Sequence, residues 1–471
     1  MSKNKGILSH YLERTTLADL SFWFNHSPRK PLILRGARQV GKSTLVRAFC
    51  QRNKRRLIEI NFEQQFKLKR SFESLKPEQI LKELEYHFEK IINPERDLLF
   101  LDEIQSAPQA IVSLRYFYEQ MPTLPILAAG SLLDFTLTEE KIAVPVGRIE
   151  YGYIRPFSFE EFLLAKNEKH LLKLLRTYEI HESFPQTAHE KLSQILREYF
   201  FVGGMPEAVQ THLKYNAVKH TSNIHASLMN TYRDDFGKYA KGKELLRIQR
   251  LFDQLPAMVG RKVKYSEISR GDQAKEIRAI IDLLCQARVI HKVHHSHSSG
   301  LPLAFQSDNH IYKIYFLDIG LLNHHLGLNW NTLNQSELSR FLTQGIQSEQ
   351  FVFQNLFLDD FKMDQEIYYW LREGKSTNAE LDFIIAYGEK IIPIEVKSGK
   401  SGSLRSLHQF VHEKDCSFAV RFDLNLPSLQ NIRHDVVTPQ GSVSISFQLL
   451  SLPIYFVGQL KRFLSPPLRN L

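Results

Sequence analysis

The stretch Pro31–Leu45 constrains the fold of this chain more than any other feature. It reads PLILRGARQVGKSTL, in which Gly36 is followed by four residues and then by Gly41–Ser43. This is the G-x-x-x-x-G-K-[ST] spacing of a phosphate-binding loop, whose backbone N–H groups and following helix N-terminus cradle phosphates. The apolar run Leu32–Leu34 predicts a buried strand before the loop, and a helix is expected to begin near Lys42. The pattern predicts nucleotide binding.

Each position of this loop is expected to contribute to nucleotide binding. Lys42 would reach the β- and γ-phosphates, and the Ser43 hydroxyl would bind Mg²⁺. Arg38 could contact phosphate or a partner. The other predicted nucleotide-binding positions are Gly36, Ala37, Gln39, Val40, Gly41 and Thr44.

A second strand with an acidic end supports hydrolysis. The apolar run Leu98–Leu101 ends in Asp102 and Glu103. Such a run is typical of a central parallel strand that is buried on both faces. Asp102 would hold Mg²⁺ directly or through water, and Glu103 would polarise the attacking water. A glutamate after the aspartate suggests hydrolysis rather than binding alone.

Two polar residues downstream are further candidates. A third strand is predicted at Pro125–Ala129, and Ser131 follows it after one glycine. Arg148 could stabilise transition-state charge, in cis or from a neighbouring subunit. The alternative is that Arg148 is an ordinary solvated side chain on the surface.

Length, charge and cysteine content restrict the class of protein. A chain of 471 residues is expected to form two to four domains. It has neither an apolar run near the ~18 residues of a membrane span nor the apolar segment of a secretory signal. The three cysteines show no metal-binding or disulfide spacing, so we expect a cytoplasmic protein without a membrane partner. The net charge of +10 is compatible with DNA as a partner.

The sequence pattern divides the chain into five segments. The first is expected to be helical from the spacing of Leu8, Tyr11 and Leu12 and from the run Leu17–Phe24. The second alternates strands and helices, as in a doubly wound parallel α/β sheet. The segments are a helical lead-in (1–30), the ATPase core (31–165), a helical lid (166–245), a winged-helix-like domain (246–330) and a C-terminal α/β domain (335–471).

The fourth segment is expected to resemble a winged helix. An amphipathic helix is predicted at Lys275–Gln286, followed by alternating strands at Val289–Val293 and Ile311–Phe316. The histidines between and within these strands lack acidic or cysteine companions, which favours a solvated loop over a metal site. A winged helix could bind DNA or a protein.

A second group of charged residues lies near the C-terminus. Glu349 is in a helical run and Asp382 is on a predicted strand. The turn Tyr387–Lys390 joins that strand to the next, on which Glu395 and Lys397 are two residues apart. Residues two apart on a strand share a face. Glu349, Asp382 and Glu395 could hold a divalent cation with oxygen ligands, and Lys397 could activate water or stabilise phosphate charge. The alternative is an ordinary hairpin with charged outward residues.

Several motifs together support a family resemblance. The segments GARQVGKST, LLFLDEIQ and PFSFEEF resemble AAA+ ATPases of prokaryotic type whose C-terminal half is a domain of unknown function. The segments VGGMPEAV, YRDDFGKY and IPIEVKSG resemble that C-terminal half. The resemblance implies an ATP-binding core, a helical lid, a winged helix and a nuclease-like fold of the PD-(D/E)XK type.

The resemblance also assigns individual residues. Ser131 stands where a polar residue of AAA+ ATPases senses the γ-phosphate. Asp382, Glu395 and Lys397 match the D…E-x-K pattern of the nuclease fold, and Glu349 matches its helical acidic position. That fold includes inactive binding modules, so metal-dependent DNA cleavage is left open. The segment before Arg148 is looser than a standard arginine-finger helix, which leaves a monomeric or dimeric switch open beside ring assembly.

The expected function is Mg²⁺-dependent ATP hydrolysis that couples nucleotide state to a C-terminal nuclease-like module acting on DNA. The alternative is an ATPase switch that binds a protein partner or self-associates, with an inactive nuclease-like domain. A nucleic-acid-binding scaffold with negligible turnover is a further rival.

Overall fold

The computed structural model describes most of the chain and divides it into two compact units. The described residues are 11–131, 145–238, 240–268, 271–328, 330, 345–357, 361–362, 366–373, 378–399, 402–438 and 441–465. The first unit contains the described residues up to Pro156, together with Asp282–Val289 and residues 361–362; the second contains the rest.

The first unit alternates strands and helices. Its strands are β1 Leu32–Arg35, β2 Arg56–Asn61, β3 Asp97–Asp102, β4 Ile126–Gly130 and β5 Glu150–Tyr153. Its helices are α1 Thr16–Asn25, α2 Lys42–Arg52, α3 Pro77–Phe88 and α4 Pro108–Gln120. Short 3-10 helices lie at Phe66–Phe72 and Ile104–Ser106.

The five strands form one parallel sheet in the order β2-β3-β4-β1-β5. Every residue of β3 is buried, as the apolar run predicted. The sequence stretches predicted as the first three core strands are confirmed as β1, β3 and β4. Because all strands run in the same direction, the segments after β1, β3 and β4 lie at one edge of the sheet, and the candidate ATPase residues follow these strands.

The predicted N-terminal helix is only partly correct. Leu8 lies outside the described residues, and Tyr11 and Leu12 precede the helix, which begins at Thr16. Tertiary hydrogen bonds hold this non-helical segment: Arg14 is buried and donates from Nη2 to the carbonyl oxygen of Arg155 at 2.7 Å. The predicted helical run Leu17–Phe24 is confirmed as part of α1, but the apolar spacing before it was not sufficient to predict a helix.

The second unit begins with helices and ends with a mixed sheet. Its helices, continuing the numbering, are α5 Phe159–Ala165, α6 Lys169–Thr177, α7 Gln186–Val202, α8 Pro206–Tyr215, α9 Val218–Asp235, α10 Gly242–Gln254, α11 Tyr265–Ile268, α12 Ala274–Gln286, α13 Ile319–His325, α14 Ile346–Phe357, α15 Arg405–Lys414 and α16 Leu460–Leu464. Its strands are β6 Ile290–Ser296, β7 Ser307–Phe316, β8 Tyr368–Arg372, β9 Ala379–Tyr387, β10 Lys390–Val396, β11 Phe418–Asp423, β12 Ser428–Thr438 and β13 Gly441–Pro453. The last residues of α12 belong to the first unit.

The strands of the second unit form one sheet in the order β12-β13-β11-β10-β9-β8-β6-β7. The predicted hairpin of the fourth segment is confirmed, because β6 and β7 pair antiparallel. Strand β6 also pairs with β8, so the hairpin continues the sheet of the C-terminal strands. The predicted turn between β9 and β10 is confirmed by the pairing of Tyr387 with Lys390. None of the described helices has the length and hydropathy to cross a membrane.

The expectation of a solvated histidine loop is wrong for His295. This residue lies on β6 and is 3% exposed. Its Nδ1 accepts a hydrogen bond from the backbone N–H of Leu371 at 3.2 Å, and burial lowers its pKa. The hairpin continues the sheet instead of projecting into solvent, which the histidine content did not reveal.

Candidate functional site

The phosphate-binding loop joins β1 to α2 and requires glycine at both ends. A Cβ atom on Gly36 would lie 2.1 Å from the carbonyl oxygen of Ile154, a distance that only glycine avoids. Gly41 precedes α2 with φ 90°, in the left-handed region. These conformations turn the backbone so that the N-terminus of α2 faces the loop, the arrangement that binds phosphate.

The intervening loop residues divide into core and surface positions. Ala37 and Val40 are buried, which fixes the loop on the sheet. Gln39 and Thr44 are exposed, and Arg38 is partly exposed. The buried side chains act as anchors, so any contact of Ala37 and Val40 with a phosphate would come from the backbone.

Lys42 is the first residue of α2 and turns back over the loop. Its Nζ donates hydrogen bonds of 2.9 Å to the carbonyl oxygens of Gly36 and Ala37. Burial lowers the pKa of Lys42 to about 8, against the raising effect of Glu103 and Asp102. Phosphate groups would raise this pKa again, because a nearby negative charge favours the ammonium.

Ser43 and Asp102 meet across the sheet edge. The Ser43 Oγ donates a hydrogen bond to Asp102 Oδ2 at 2.8 Å, and Asn61 Nδ2 lies 3.5 Å from the same oxygen. Burial raises the pKa of Asp102, although its bond from Ser43 opposes this. A hydroxyl and a carboxylate oxygen so close together fit Mg²⁺, which takes hard oxygen ligands and few protein groups.

Glu103 follows β3 in a left-handed conformation with φ 52°. Its backbone N–H donates to Asp102 Oδ1 at 3.1 Å, and its Oε2 accepts from Gln105 Nε2 at 2.6 Å. The hydrogen bond from Gln105 therefore fixes the orientation of the Glu103 carboxylate. Gln105 was not predicted as a site residue, although it is the last residue of the LLFLDEIQ segment.

The structure places Ser131 and Arg148 differently. Ser131 is buried and follows β4, whose Ala129 is opposite Asp102 in the sheet. Arg148 is exposed, and its Nε donates a hydrogen bond to Glu119 Oε1 on α4 at 3.0 Å. Ser131 thus lies at the edge where the other candidates meet, whereas Arg148 is engaged in a surface ion pair.

Arg288 is a positively charged residue that the sequence did not single out. Its guanidinium lies 4.7 Å from the ring centroid of Tyr153, and Tyr153 is opposite Arg35, the last residue before the loop. The charge of Arg288 is also one of the smaller causes that lower the pKa of Lys42, after burial. Its place next to the loop results from the fold, since it is far away in sequence.

The C-terminal candidates come together in the second unit. Asp382 lies on β9 and its Oδ2 accepts a hydrogen bond from the backbone N–H of Val396 at 2.7 Å. Lys397 forms an ion pair with Glu395. Burial and the charge of Asp382 raise the pKa of Glu395 to about 8. The predicted neighbourhood of these three side chains is therefore present.

Glu349, in the first turn of α14, joins the same cluster. Its Oε2 accepts a hydrogen bond from the Tyr315 hydroxyl at 3.2 Å and lies 3.6 Å from Lys313 Nζ. Lys313 also forms an ion pair with Glu380. Lys313, Tyr315 and Glu380 were missed, because a lysine in an alternating strand is usually assigned to the solvent face.

The cluster differs from the predicted metal site in its counter-charges. Within the described ranges, no three histidine, cysteine or acidic side chains are arranged to hold a metal ion. The carboxyl groups of Glu349, Asp382 and Glu395 are instead accompanied by the ammonium groups of Lys313 and Lys397. The fold brings the predicted ligands together without forming a metal-binding arrangement.

Three family models match separate parts of the chain. The AAA domain model matches residues 28–163. Two domains of unknown function match further on, DUF8612 over residues 193–332 and DUF4143 over residues 344–437. No protein of curated function matches the chain.

Several solved structures are distantly similar to this chain. The Walker-type ATPase of Pyrococcus abyssi is 17% identical with a TM-score of 0.43, over 67% of this chain and 96% of that chain. The Aeropyrum pernix ORC1 protein in complex with DNA is 13% identical with a TM-score of 0.29, over 68% and 95%. The ORC2 protein of the same organism is 13% identical with a TM-score of 0.34, over 69% and 96%. On the family match and the loop geometry, this chain carries an AAA-type P-loop ATPase domain.

Proposed function

We propose that this protein hydrolyses ATP with Mg²⁺ and uses the nucleotide state to control its C-terminal module. The observation that carries this proposal is the 2.8 Å hydrogen bond between Ser43 and Asp102 beside the buried ammonium of Lys42. These are the groups that position Mg²⁺ and the terminal phosphates in P-loop ATPases. Mg²⁺ would neutralise charge that develops on the phosphates.

The protein groups would then have separate tasks. Lys42 would exchange its two carbonyl acceptors for phosphate oxygens. Glu103, held by Gln105, would orient the attacking water and accept its proton. Ser131 would contact the γ-phosphate. Arg288 is the candidate for cis stabilisation of transition-state charge, and Arg148 remains a candidate in cis or in trans.

Coupling to the C-terminal module is supported by the course of the chain. Asp282–Val289 belongs to the first unit, although the residues before and after it belong to the second. A change at Arg288 on ATP binding would therefore reach helix α12 through the backbone. DNA is the proposed target, because the chain carries a net charge of +10 and nuclease-like motifs.

The decisive experiment measures ATP hydrolysis with and without Mg²⁺ and DNA. Wild type should turn over, Lys42→Ala should lose turnover, and Glu103→Gln should bind ATP but retain it unhydrolysed. Lys82→Ala is the matched control, since Lys82 is an exposed lysine on α3. Turnover that survives Lys42→Ala would refute the proposal.

A second candidate function is a switch that binds a protein partner and does not cleave DNA. The observation that favours it is the ion pair between Lys313 and Glu380 within the acidic cluster, which supplies positive charge without a metal ion. The same reactions, analysed on a gel, separate the two candidates. DNA-stimulated turnover supports action on DNA, and cleavage abolished by Asp382→Ala supports a nuclease. Turnover that is indifferent to DNA, with the DNA intact, supports the protein switch.

A further inference from the structure

Strand β12, at one end of the second sheet, has an edge to which a further strand can be added. Among the described strands it pairs with β13 alone, and this pairing is continuous from Ser428 opposite Ser451 to Thr438 opposite Gly441. An edge strand directs unpaired backbone N–H and C=O groups outward, and natural proteins protect such edges by short length, proline or bulges. With 11 residues, no proline and an unbroken register, β12 has none of these three protections.

One face of β12 is packed against the protein. Val436 is 7% exposed and belongs to the apolar core under the strand, and Ile432 packs against the same core. Between them in sequence, His434 is on the same face, and its ring centroid lies 4.1 Å from that of His408 on α15. These contacts hold the strand in its extended form without using its outer edge.

The other face of β12 carries two exposed, opposite charges. Arg433 and Asp435 are both exposed. In the described part of the chain, neither of them has an ion-pair partner. Charged side chains on an edge strand discourage pairing with an arbitrary strand. A strand that pairs here therefore has to supply the opposite charges at the matching positions.

A second copy of β12 supplies these charges. A two-fold axis normal to the sheet makes the two strands antiparallel and keeps each face on its own side, so residues of the same face lie opposite each other. With His434 opposite its own copy, each Arg433 lies opposite an Asp435, and each Ile432 opposite a Val436. The two neighbouring registers place Arg433 opposite Arg433 or Asp435 opposite Asp435, and like charges directly opposite are destabilising. The charges therefore favour one register over its neighbours.

We propose that two copies of this chain associate through their β12 strands and form one continuous sheet across a two-fold axis at His434. The backbone groups of both edges would pair, and two contacts between Arg433 and Asp435 would fix the register. Because both copies use the same surface, the assembly closes as a dimer. The pairing needs no nucleotide, so this inference does not rest on the ATPase function.

Analytical ultracentrifugation of the full chain over a range of concentrations tests the proposal. Wild type should show a reversible equilibrium between monomer and dimer. Arg433→Asp and Asp435→Arg each turn both charge contacts into repulsive ones, and should each raise the dissociation constant of the dimer by roughly 10- to 100-fold. Lys243→Asp is the matched control: it reverses an exposed charge on α10 and should leave the equilibrium unchanged.

Mixing the two variants separates a lost contact from a folding defect. In an equimolar mixture of Arg433→Asp and Asp435→Arg, a dimer of one copy of each has opposite charges at both contacts. The mixture should therefore dimerise about as tightly as wild type. A mixture that stays monomeric would overturn the proposed register.

A cysteine at the proposed axis locates it directly. Opposite residues on antiparallel strands have Cα atoms about 4.5–5.5 Å apart, within the span of a disulfide. Mild oxidation of His434→Cys should therefore link two chains on a non-reducing gel. Gln430→Cys, exposed on the same strand, is the control, because its two copies would lie roughly 27 Å apart along the strands and should not link. The inference is overturned by a monomeric wild type, by a dimer insensitive to Arg433→Asp, or by equal linking of the two cysteine variants.

Discussion

Gly36 shows how one missing methyl group shapes the phosphate-binding loop. The substitution Gly36→Ala would place a Cβ 2.1 Å from the backbone oxygen of Ile154, which cannot move as a side-chain end can. We expect the first unit to lose at least about 2 kcal/mol of unfolding free energy and to lose ATP binding. Urea unfolding and a fluorescent-ATP titration measure the two effects.

Gly147→Ala is the control for backbone strain without a clash. Gly147 also has a positive φ of 76°, but no atom lies within 4 Å of the position that the added Cβ would occupy. It should cost only about 1 kcal/mol of conformational strain. If Gly36→Ala is as mild as this control, the close approach to Ile154 does not limit the loop.

Arg288 tests whether the transition-state charge is stabilised from within the chain. Its position against Tyr153, next to the loop, predicts that Arg288→Ala lowers kcat by roughly 10²- to 10³-fold. Arg288→Lys should recover only part of this, because lysine lacks the planar guanidinium. Single-turnover hydrolysis at low protein concentration measures the effect, and Arg148→Ala is the comparison. A larger loss in Arg148→Ala than in Arg288→Ala would contradict the assignment of this role to Arg288.

Asp318, immediately before α13, connects three segments of the second unit by hydrogen bonds. Its carboxylate accepts hydrogen bonds from Gly204 N–H at 2.6 Å, Leu321 N–H at 3.1 Å and Gln354 Nε2 at 3.1 Å. Asp318→Ala should cost about 3 kcal/mol or more, because several buried donors lose their acceptor. Thermal unfolding measures this. The exposed Asp435→Ala should be nearly neutral, and an equal effect of both variants would show that these bonds contribute nothing.

Helices and strands with a clear apolar pattern could be predicted from the sequence. The contacts between residues that are distant in sequence could not. The strand runs before Gly36 and Asp102 and the helix at Lys275–Gln286 follow from apolar periodicity and length. The Asp382 and Glu395 neighbourhood followed from a two-residue turn. In contrast, Lys313 comes from a hairpin whose pairing with β8 joins distant segments, and neither composition nor spacing encodes that contact. Arg288 was missed for the same reason.

A buried histidine bonded to the last residue of α7 is expected to make the stability of the second unit depend on pH. His225 on α9 is 1% exposed and donates from Nε2 to the carbonyl oxygen of Val202 at 2.9 Å. Burial lowers its pKa to about 4, and the nearby His324 and His212 add to this against the Val202 bond. The unfolded chain, with a histidine pKa of about 6.5, binds more protons below that pH. Stability is therefore full above about pH 6.5 and is lost as the pH falls toward 4.

The variant His225→Gln retains a donor for Val202 but does not titrate. Between pH 7 and pH 5, wild type should lose about 2 kcal/mol more unfolding free energy than the variant. Urea unfolding at the two pH values measures the difference, and other acids cancel because both proteins contain them. Parallel pH profiles would show that His225 is not the group responsible.

For the whole molecule, the proposed coupling predicts where ATP changes backbone protection. The residues of α12 are divided between the two units. If bound phosphates hold the Arg288 side chain in place, the backbone motion of the whole helix α12 should therefore decrease. In Glu103→Gln with Mg²⁺ and ATP, amide hydrogen exchange should slow in the loop at 36–44, in Asp282–Val289 and in the first turns of α12. Lys42→Ala should show none of these changes, because it lacks the phosphate contact. Slowing that stays within the loop would mean that ATP binding is not transmitted through α12, and the second unit would then have to respond to its partner independently of nucleotide.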